Sequence, residues 1–222
     1  MKKTYLESVA QSGLFRHLKS EDYEEAWEEL HMVPRRFEDQ QIIYIQGDEV
    51  NRSGIVHEGL VKGEKFHIEG TSHLAHMYAA GEPFAFEGAV SGKKTSPLDY
   101  ISEGESTVIF FDVQQIYTSS FERELVRGFM EVLANDNIKK LYRIETLSQR
   151  GLRSRIMTYF RILSSKSGSP VIRLNMSRMQ LAHYLCVNRT ALSYELNQMQ
   201  REGLIVIEKK KITLLTEEQQ PF

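Results

Sequence analysis

Ser177-Arg178-Met179-Gln180-Leu181-Ala182-His183-Tyr184-Leu185-Cys186-Val187-Asn188-Arg189-Thr190-Ala191-Leu192-Ser193-Tyr194-Glu195-Leu196-Asn197-Gln198-Met199 decides how the carboxy end of this 222-residue chain folds. Leu181, Ala182 and Leu185 lie at the spacing that buries one face of a short helix, and Ser177 stands where a hydroxyl caps the first free amides. Cys186-Val187-Asn188 breaks that period. Leu192, Leu196 and Met199 restart it, with Arg189, Ser193 and Tyr194 off the apolar stripe. The pattern predicts two short helices joined by a turn of about three residues, and the small Ala182 lets them cross closely. Glycine usually occupies such a turn, so Cys186 is expected to carry backbone strain of roughly 1 kcal/mol and to be a packed thiol.

Working outward, Glu202-Gly203 reads as a helix stop. Leu204-Ile205-Val206-Ile207 and Ile212-Thr213-Leu214-Leu215 are two strand candidates around Glu208-Lys209-Lys210-Lys211. Together they predict a winged helix-turn-helix whose hairpin tip carries three adjacent ammonium groups. Residues 149 to 211 hold 12 Lys+Arg against 3 Asp+Glu, net +9, whereas the rest of the chain holds 16 against 27, net −11. A net charge of −2 thus hides two oppositely charged parts. A basic face of this kind binds phosphates by counterion release, which makes double-stranded DNA the expected partner.

Towards the amino end, Leu152 to Leu163 reads as a helix and residues 164 to 170 as a serine-rich loop. Phe121 to Leu147 contains no proline and one glycine. Its apolar positions, including Leu125, Phe129, Val132 and Leu141, exceed what one exposed helix needs, which suggests a buried helix or a helix pair. Those four residues are the candidate dimerisation contacts, because a two-fold protein matches a palindromic site with half-sites about one helical turn apart.

Nine of the 14 glycines fall between Gly47 and Gly104. Short apolar runs lie between them at 42 to 45, 54 to 57, 65 to 68 and 106 to 111. Many short strands with glycine turns predict a β-roll or jelly roll. Before it, Tyr5, Leu6, Val9, Leu14 and Leu18, then Tyr23, Ala26, Trp27 and Leu30, are at helical spacing and are expected to cover one end of the roll. The predicted class is α+β. A β-roll sensor domain spans 1 to 120, a dimerisation helix 121 to 148, and a winged helix-turn-helix DNA-binding domain 149 to 222.

Composition excludes several alternatives. A 41% hydrophobic content supports packed cores. Met1-Lys2-Lys3 is followed by polar residues, and no stretch approaches 18 apolar residues, so a cytoplasmic protein without membrane contact is expected. One cysteine rules out an internal disulfide. Neither a phosphate-cradling glycine loop nor a nucleophile-base constellation is present, and Glu82 and Glu87 read as loop residues rather than a paired acid and base, so no enzyme is expected.

The order of parts, together with Arg155-Ile156, Ser177-Arg178, Leu181-Ala182, Arg189, Ser193 and Glu202-Gly203-Leu204-Ile205, resembles the Crp/Fnr family of bacterial transcription regulators. At the amino end the resemblance rests on Ile43-Tyr44-Ile45-Gln46-Gly47-Asp48, Glu58-Gly59 and Ala80-Gly81-Glu82. It implies a homodimeric DNA-binding regulator with RNA polymerase as a further partner, and an alternative in which the sensor module regulates a protein partner. It also implies that Arg189 contacts a guanine, with Thr190, Ser193 and Tyr194 completing the base-reading surface. Ser177, Arg178, Asn188, Lys209, Lys210 and Lys211 are then the candidate phosphate contacts. Thr190 replaces the family's glutamate and Tyr194 its arginine. A methyl and an aromatic face suit thymine methyls, so an altered, A·T-richer half-site is expected.

Family members that bind cyclic nucleotide carry a glycine-glutamate pair followed by an arginine-serine pair. Here Ala85-Phe86 falls at the first and the Lys94-Thr95-Ser96-Pro97 stretch near the second, so cyclic AMP is not the expected effector. The candidate effector pocket is Phe66, Gly81, Glu82, Phe84, Phe86, Thr95 and Ser96. With His67, His73, His76 and Tyr78 nearby, a haem or small organic effector is the alternative to no cofactor. No metal is expected, since His73 and His76 would form a ligand pair only on a helix, or with help from His57 or His67.

Overall fold

The computed structural model describes residues 2–66, 72–174 and 176–215. The described residues form two compact units that divide at Asn135/Asp136, inside a 27-residue helix.

In the first unit, apolar residues at helical spacing form α1 (Lys2–Gln11), the 3-10 turn Gly13–Phe15 and, after a second 3-10 turn at Ser20–Asp22, α2 (Tyr23–Glu29). The strands are β1 (Val33–Phe37), β2 (Ile42–Tyr44), β3 (Arg52–Phe66), β4 (Ser72–Tyr78), β5 (Pro83–Phe84) and β6 (Asp99–Asp112), with the five-residue α3 (Phe86–Val90) before β6. They make one antiparallel sheet in the order β1-β6-β3-β4, with β2 on β6 and β5 on β3. The runs expected at 54 to 57 and 65 to 68 are therefore one long strand as far as Phe66, while His67 and Ile68 lie outside the described residues. A strand of this length bends where its register slips. Two shifts against β6 flank Glu58, and Gly59 has φ +84 with the Glu105 carbonyl where a Cβ would stand. β1 escaped the sequence reading because Pro34, Arg35 and Arg36 conceal its alternation.

The unit's core joins Val9, Leu14, Phe15, Trp27 and Leu30 to buried residues on both faces of the strands, among them Ile55, Val56, Phe84, Tyr100, Val108, Ile109 and Phe111. The amino-terminal helices thus pack on the strands as their periodicity predicts. α4 (Glu122–Ser148) is one continuous helix and not a pair. Its start is held by Glu29, whose carboxylate accepts hydrogen bonds from the Ser119 hydroxyl (2.6 Å), the Ser120 amide (3.0 Å) and the Ser120 hydroxyl (2.7 Å). These three donors hold the Glu29 carboxyl below the usual glutamate range.

In the second unit, α5 (Leu152–Ser167) runs one turn beyond the helix expected to end at Leu163. Hydroxyl-to-carbonyl bonds from Ser164 and Ser167 stabilise its serine-rich last turn, and Gly168 ends it at φ +62. There follow β7 (Val171–Arg173), α6 (Arg178–Tyr184), α7 (Arg189–Arg201), β8 (Ile205–Glu208) and β9 (Lys211–Leu214). The strands form an antiparallel sheet in the order β7-β9-β8. Ile156, Phe160, Leu181, Ala182, Leu185, Leu192, Leu196, Met199, Ile205 and Ile212 fill the core between helices and sheet.

Candidate nucleic-acid interface

Two N-terminal caps set up the helix pair. The Ser177 hydroxyl accepts the Gln180 amide (3.2 Å) while the Ser177 amide donates to Gln180 Oε1 (2.7 Å), a reciprocal capping box. Asn188 Oδ1 accepts the Ala191 amide at 2.7 Å and starts α7. Between them the chain reverses through Leu185, Cys186 and Val187, whose amides bond back to the carbonyls of Leu181, His183 and Ala182. Cys186 has φ +56, the left-handed conformation expected where glycine is usual. Its thiol is exposed and not packed, because a residue at the apex of so tight a turn points its side chain outward. Ala182 is fully buried, where its single methyl permits close helix contact.

On α7, Leu192, Leu196 and Met199 are buried. At 100° per residue the opposite arc carries Thr190, Tyr194, Asn197 and Arg201, while Arg189 and Ser193 lie on the flank between that arc and the apolar stripe. Arg189, Thr190, Asn197 and Arg201 are exposed, Tyr194 is 65% exposed, and Ser193 is half-buried. Gln198 Nε2 donates to the Tyr194 hydroxyl at 3.3 Å, which holds the ring along the helix. Asn197 and Arg201 were missed by the sequence reading although they repeat at the same period as Arg189 and Ser193.

The scaffold behind α7 is charged. Arg153, in the first turn of α5, donates from Nε to Glu195 (2.6 Å) and from Nη1 and Nη2 to Glu202 (2.6 and 3.0 Å). Arg155 donates to the carbonyls of Gln149 (3.2 Å) and Leu185 (3.3 Å), tying the helix-helix turn to α5. Arg178 is half-buried, its Nη1 lacks a hydrogen-bond partner, and burial lowers its pKa from the ordinary guanidinium value.

The wing is the β8-β9 hairpin, turned by Lys209 (φ +58) and Lys210. Lys211 sits opposite Glu208, with Nζ 3.7 Å from its carboxylate. Lys209, Lys210, Lys211 and Glu208 line a shallow depression together with Arg173. Arg173 is a fourth cation that the sequence reading missed, because β7 is only three residues long and carried no strand signal. Its backbone pairs with Lys211.

Most of the candidate effector residues of the first unit are engaged in local packing or hydrogen bonds. Phe84 is fully buried with its ring 5.1 Å from Tyr100 and 5.7 Å from Tyr78. Phe86 is buried and meets Phe129 edge-on at 5.4 Å. The Ser96 hydroxyl donates to the Leu98 carbonyl, and Thr95 bridges to Glu49. Glu82 accepts the Ala79 amide at 2.9 Å across the turn made by Gly81, and Phe66 is 47% exposed at the end of β3. Glu87 lies in α3, not in a loop. Tyr100 donates to its Oε1 at 3.3 Å, and its Oε2 is buried without a partner. His73 and His76 lie on β4, so the helical ligand pair does not form. Among the described residues no three His, Cys, Asp or Glu side chains cluster as a metal site.

Three of the four candidate dimerisation contacts face inward, a correction. Leu125 is fully buried in the first unit's own core, Phe129 packs on Phe86, and Val132 lies where a Cβ on Gly13 would be 3.2 Å away. The exposed apolar stripe of α4 is instead Met130, Leu133, Ile138, Leu141 and Ile144, of which only Leu141 was among the expected contacts. The inward set looked equivalent in sequence because both faces of α4 carry apolar side chains.

Residues 154–219 match the model of the Crp-like helix-turn-helix domain. The chain is 24% identical over 187 residues to the global nitrogen regulator of Synechococcus elongatus, covering 81% of this chain and 84% of the relative. Residues 154–219 are thus a Crp-like helix-turn-helix domain, and over about four fifths of its length the chain is similar to a transcription regulator. Solved structures of the same fold include a CooA variant from Carboxydothermus hydrogenoformans (TM-score 0.69, 17% identity, 86% of each chain) and FixK2 from Bradyrhizobium japonicum (TM-score 0.63, 15% identity, 83% of this chain and 93% of that one). The helix-turn-helix domain therefore lies at the carboxy end of the chain, after the β-sheet domain and the long α4. Among the described residues no helix is long and apolar enough to cross a membrane.

Proposed function

We propose that this chain is a Crp/Fnr-type transcription regulator that acts in the cytoplasm as a homodimer on a palindromic double-stranded DNA site and engages RNA polymerase there. Residues 1 to 120 serve as sensor, 121 to 148 as dimerisation helix and 149 to 222 as reader. The observation that carries the reading is the two-sided α7, with Arg189 exposed at its first turn and Thr190 and Tyr194 opposite buried Leu192, Leu196 and Met199. A guanidinium so placed can bond O6 and N7 of a guanine, worth roughly 1–3 kcal/mol of discrimination. Thr190, Ser193 and Tyr194 read the neighbouring bases, and Thr190 and Tyr194 favour thymine methyls. Ser177, Arg178, Asn188, Lys209, Lys210 and Lys211 bind phosphates. The Ser177 and Asn188 caps leave a hydroxyl proton and Nδ2 free to donate, and the buried Arg178 Nη1 has no hydrogen-bond partner within the protein.

Dimerisation runs along the exposed stripe of α4, and two copies of α7 then face half-sites about one helical turn apart. The sensor does not use cyclic AMP. Phe86, at the position where a ribose would require a carboxylate, is packed against Phe129, and Pro97 supplies no amide for a phosphate. Selection of binding sites from random duplexes, run on the full chain and on Arg189→Ala, tests the reading. A palindrome with A·T-rich half-sites that Arg189→Ala no longer enriches is expected. Retention of the same motif by Arg189→Ala would refute it.

A further inference from the structure

Two charges in the second unit sit at the wrong ends of their own helices. Arg153 is in the first turn of α5, where the helix dipole disfavours a cation, and Glu202 caps the carboxy end of α7, where it disfavours an anion. Neither placement helps the helix that bears it. Both are accounted for by the bridge between them, in which the Arg153 guanidinium spans Glu202 and Glu195 with contacts of 2.6 to 3.0 Å.

Glu195 and Glu202 are seven residues apart. They therefore share one flank of α7, two turns apart along the axis and about 120° or more around it from Arg189 and Ser193. A single exposed ion pair between long side chains fixes little. One rigid planar fork that holds two points of a helix two turns apart constrains both its roll and its tilt. Leu192, Leu196 and Met199 pack α7 into the core, and the fork adds a fixed point on the flank that they leave untethered. At the periphery of a helix 10 to 12 Å across, a 10° roll moves a side chain by about 1 Å, enough to spoil two-point hydrogen bonding to a base edge.

We propose that Arg153 is a positioning residue for DNA reading, touching no nucleotide and setting the roll of α7 through Glu195 and Glu202 so that Arg189 meets its base squarely. The inference rests on α7 being the reading helix. It deepens that reading by assigning specificity to a residue behind the interface.

The test compares the affinity ratio between the selected site and a scrambled duplex, at one salt concentration, for the full chain and four variants, with thermal melting alongside. Arg153→Met should lower the ratio about ten-fold, in the range that one bidentate guanine contact supplies, and Arg153→Lys should fall between it and the parent. The neutral triple variant Arg153→Met, Glu195→Gln, Glu202→Gln should stay as low as Arg153→Met, because the tether is gone although no carboxylate is left unpaired. Should Arg153→Met unfold the domain, the triple variant and Arg153→Lys carry the comparison. An unchanged ratio in Arg153→Met, or a triple variant restored to the parent value, overturns the positioning role. Arg189→Ala is the benchmark. If it abolishes discrimination while Arg153→Met leaves the ratio unchanged, the inference fails alone; if it leaves discrimination intact, the reading-helix assignment fails and the inference with it.

Discussion

Replacing Gly128 by alanine sets two effects of opposite sign against each other. Gly128 lies inside α4, where a glycine-to-alanine change ordinarily stabilises by about 1 kcal/mol through helix propensity. Here a Cβ would stand 2.1 Å from the Leu14 carbonyl oxygen, 2.8 Å from its carbon and 3.2 Å from the Gly13 oxygen. Reaching ordinary contact near 3.4 Å requires the 3-10 turn and α4 to separate by about 1.3 Å. The obstacle is backbone, and it is anchored by Leu14 and Phe15, which are 1% and 0% exposed. Rotamer changes cannot relieve it. Overpacking of this kind costs about 1–3 kcal/mol, and a backbone obstacle puts it at or beyond the upper end. A net loss of about 2 kcal/mol is expected after the propensity gain. With a slope of about 2 kcal/mol per molar urea, the unfolding midpoint should fall by about 1 M. Trp27, the chain's single tryptophan, is buried in the same core and reports the transition by fluorescence. Protein concentration is held constant, because dimerisation would shift the midpoint. A midpoint that is unchanged or raised would refute the argument, since it would show that helix propensity outweighs the steric clash.

Charge and surface substitutions test the rest of the chain. Alanines at Lys209, Lys210 and Lys211 should weaken selected and scrambled duplexes about equally and reduce the steepness of the salt dependence by about one for each phosphate no longer neutralised, read by titrations at several salt concentrations. A carboxylate at the centre of the exposed stripe, Ile138→Glu, should dissociate the dimer in sedimentation experiments, whereas a monomeric parent chain would remove the basis for the proposed dimer. Glu29→Gln should destabilise near neutral pH. The Glu29 carboxyl is held below its ordinary value, so its contribution is present above that value and lost as pH falls through the lowered one. The difference in unfolding midpoint between parent and variant should therefore vanish on the acid side of pH 4.5. A constant difference across that window would assign the effect to something other than the charge.

Legibility followed the range of the interactions involved. The helix-turn-helix was readable because its determinants are local: a cap, a broken period, a small residue at the crossing and a turn in left-handed conformation all act within about a dozen residues. Ser177 and Asn188 cap as their types predict, and Leu192, Leu196 and Met199 bury as their spacing predicts. The wing was legible for the same reason, although its third strand was not, since three residues carry too little pattern. The sheet was read only as a collection of strands. Whether 54 to 57 and 65 to 66 belong to one strand depends on pairing with β6 some 40 residues away, which leaves no mark in local periodicity.

The sequence by itself determined the order of parts, the cationic carboxy-terminal domain, and the part of α7 that bears Arg189, Thr190, Ser193 and Tyr194, because helical periodicity alone places those four off the apolar stripe. Tertiary structure alone decided what each surplus apolar or charged side chain is for. Leu125, Phe129 and Val132 turn inward while Met130, Leu133, Ile138, Leu141 and Ile144 remain exposed, since the Gly128 contact fixes which face of α4 meets the amino-terminal segment. Phe86 packs on Phe129, and Arg153 bridges two carboxylates on α7. These assignments depend on partners distant in sequence, so they exist only once the chain has folded.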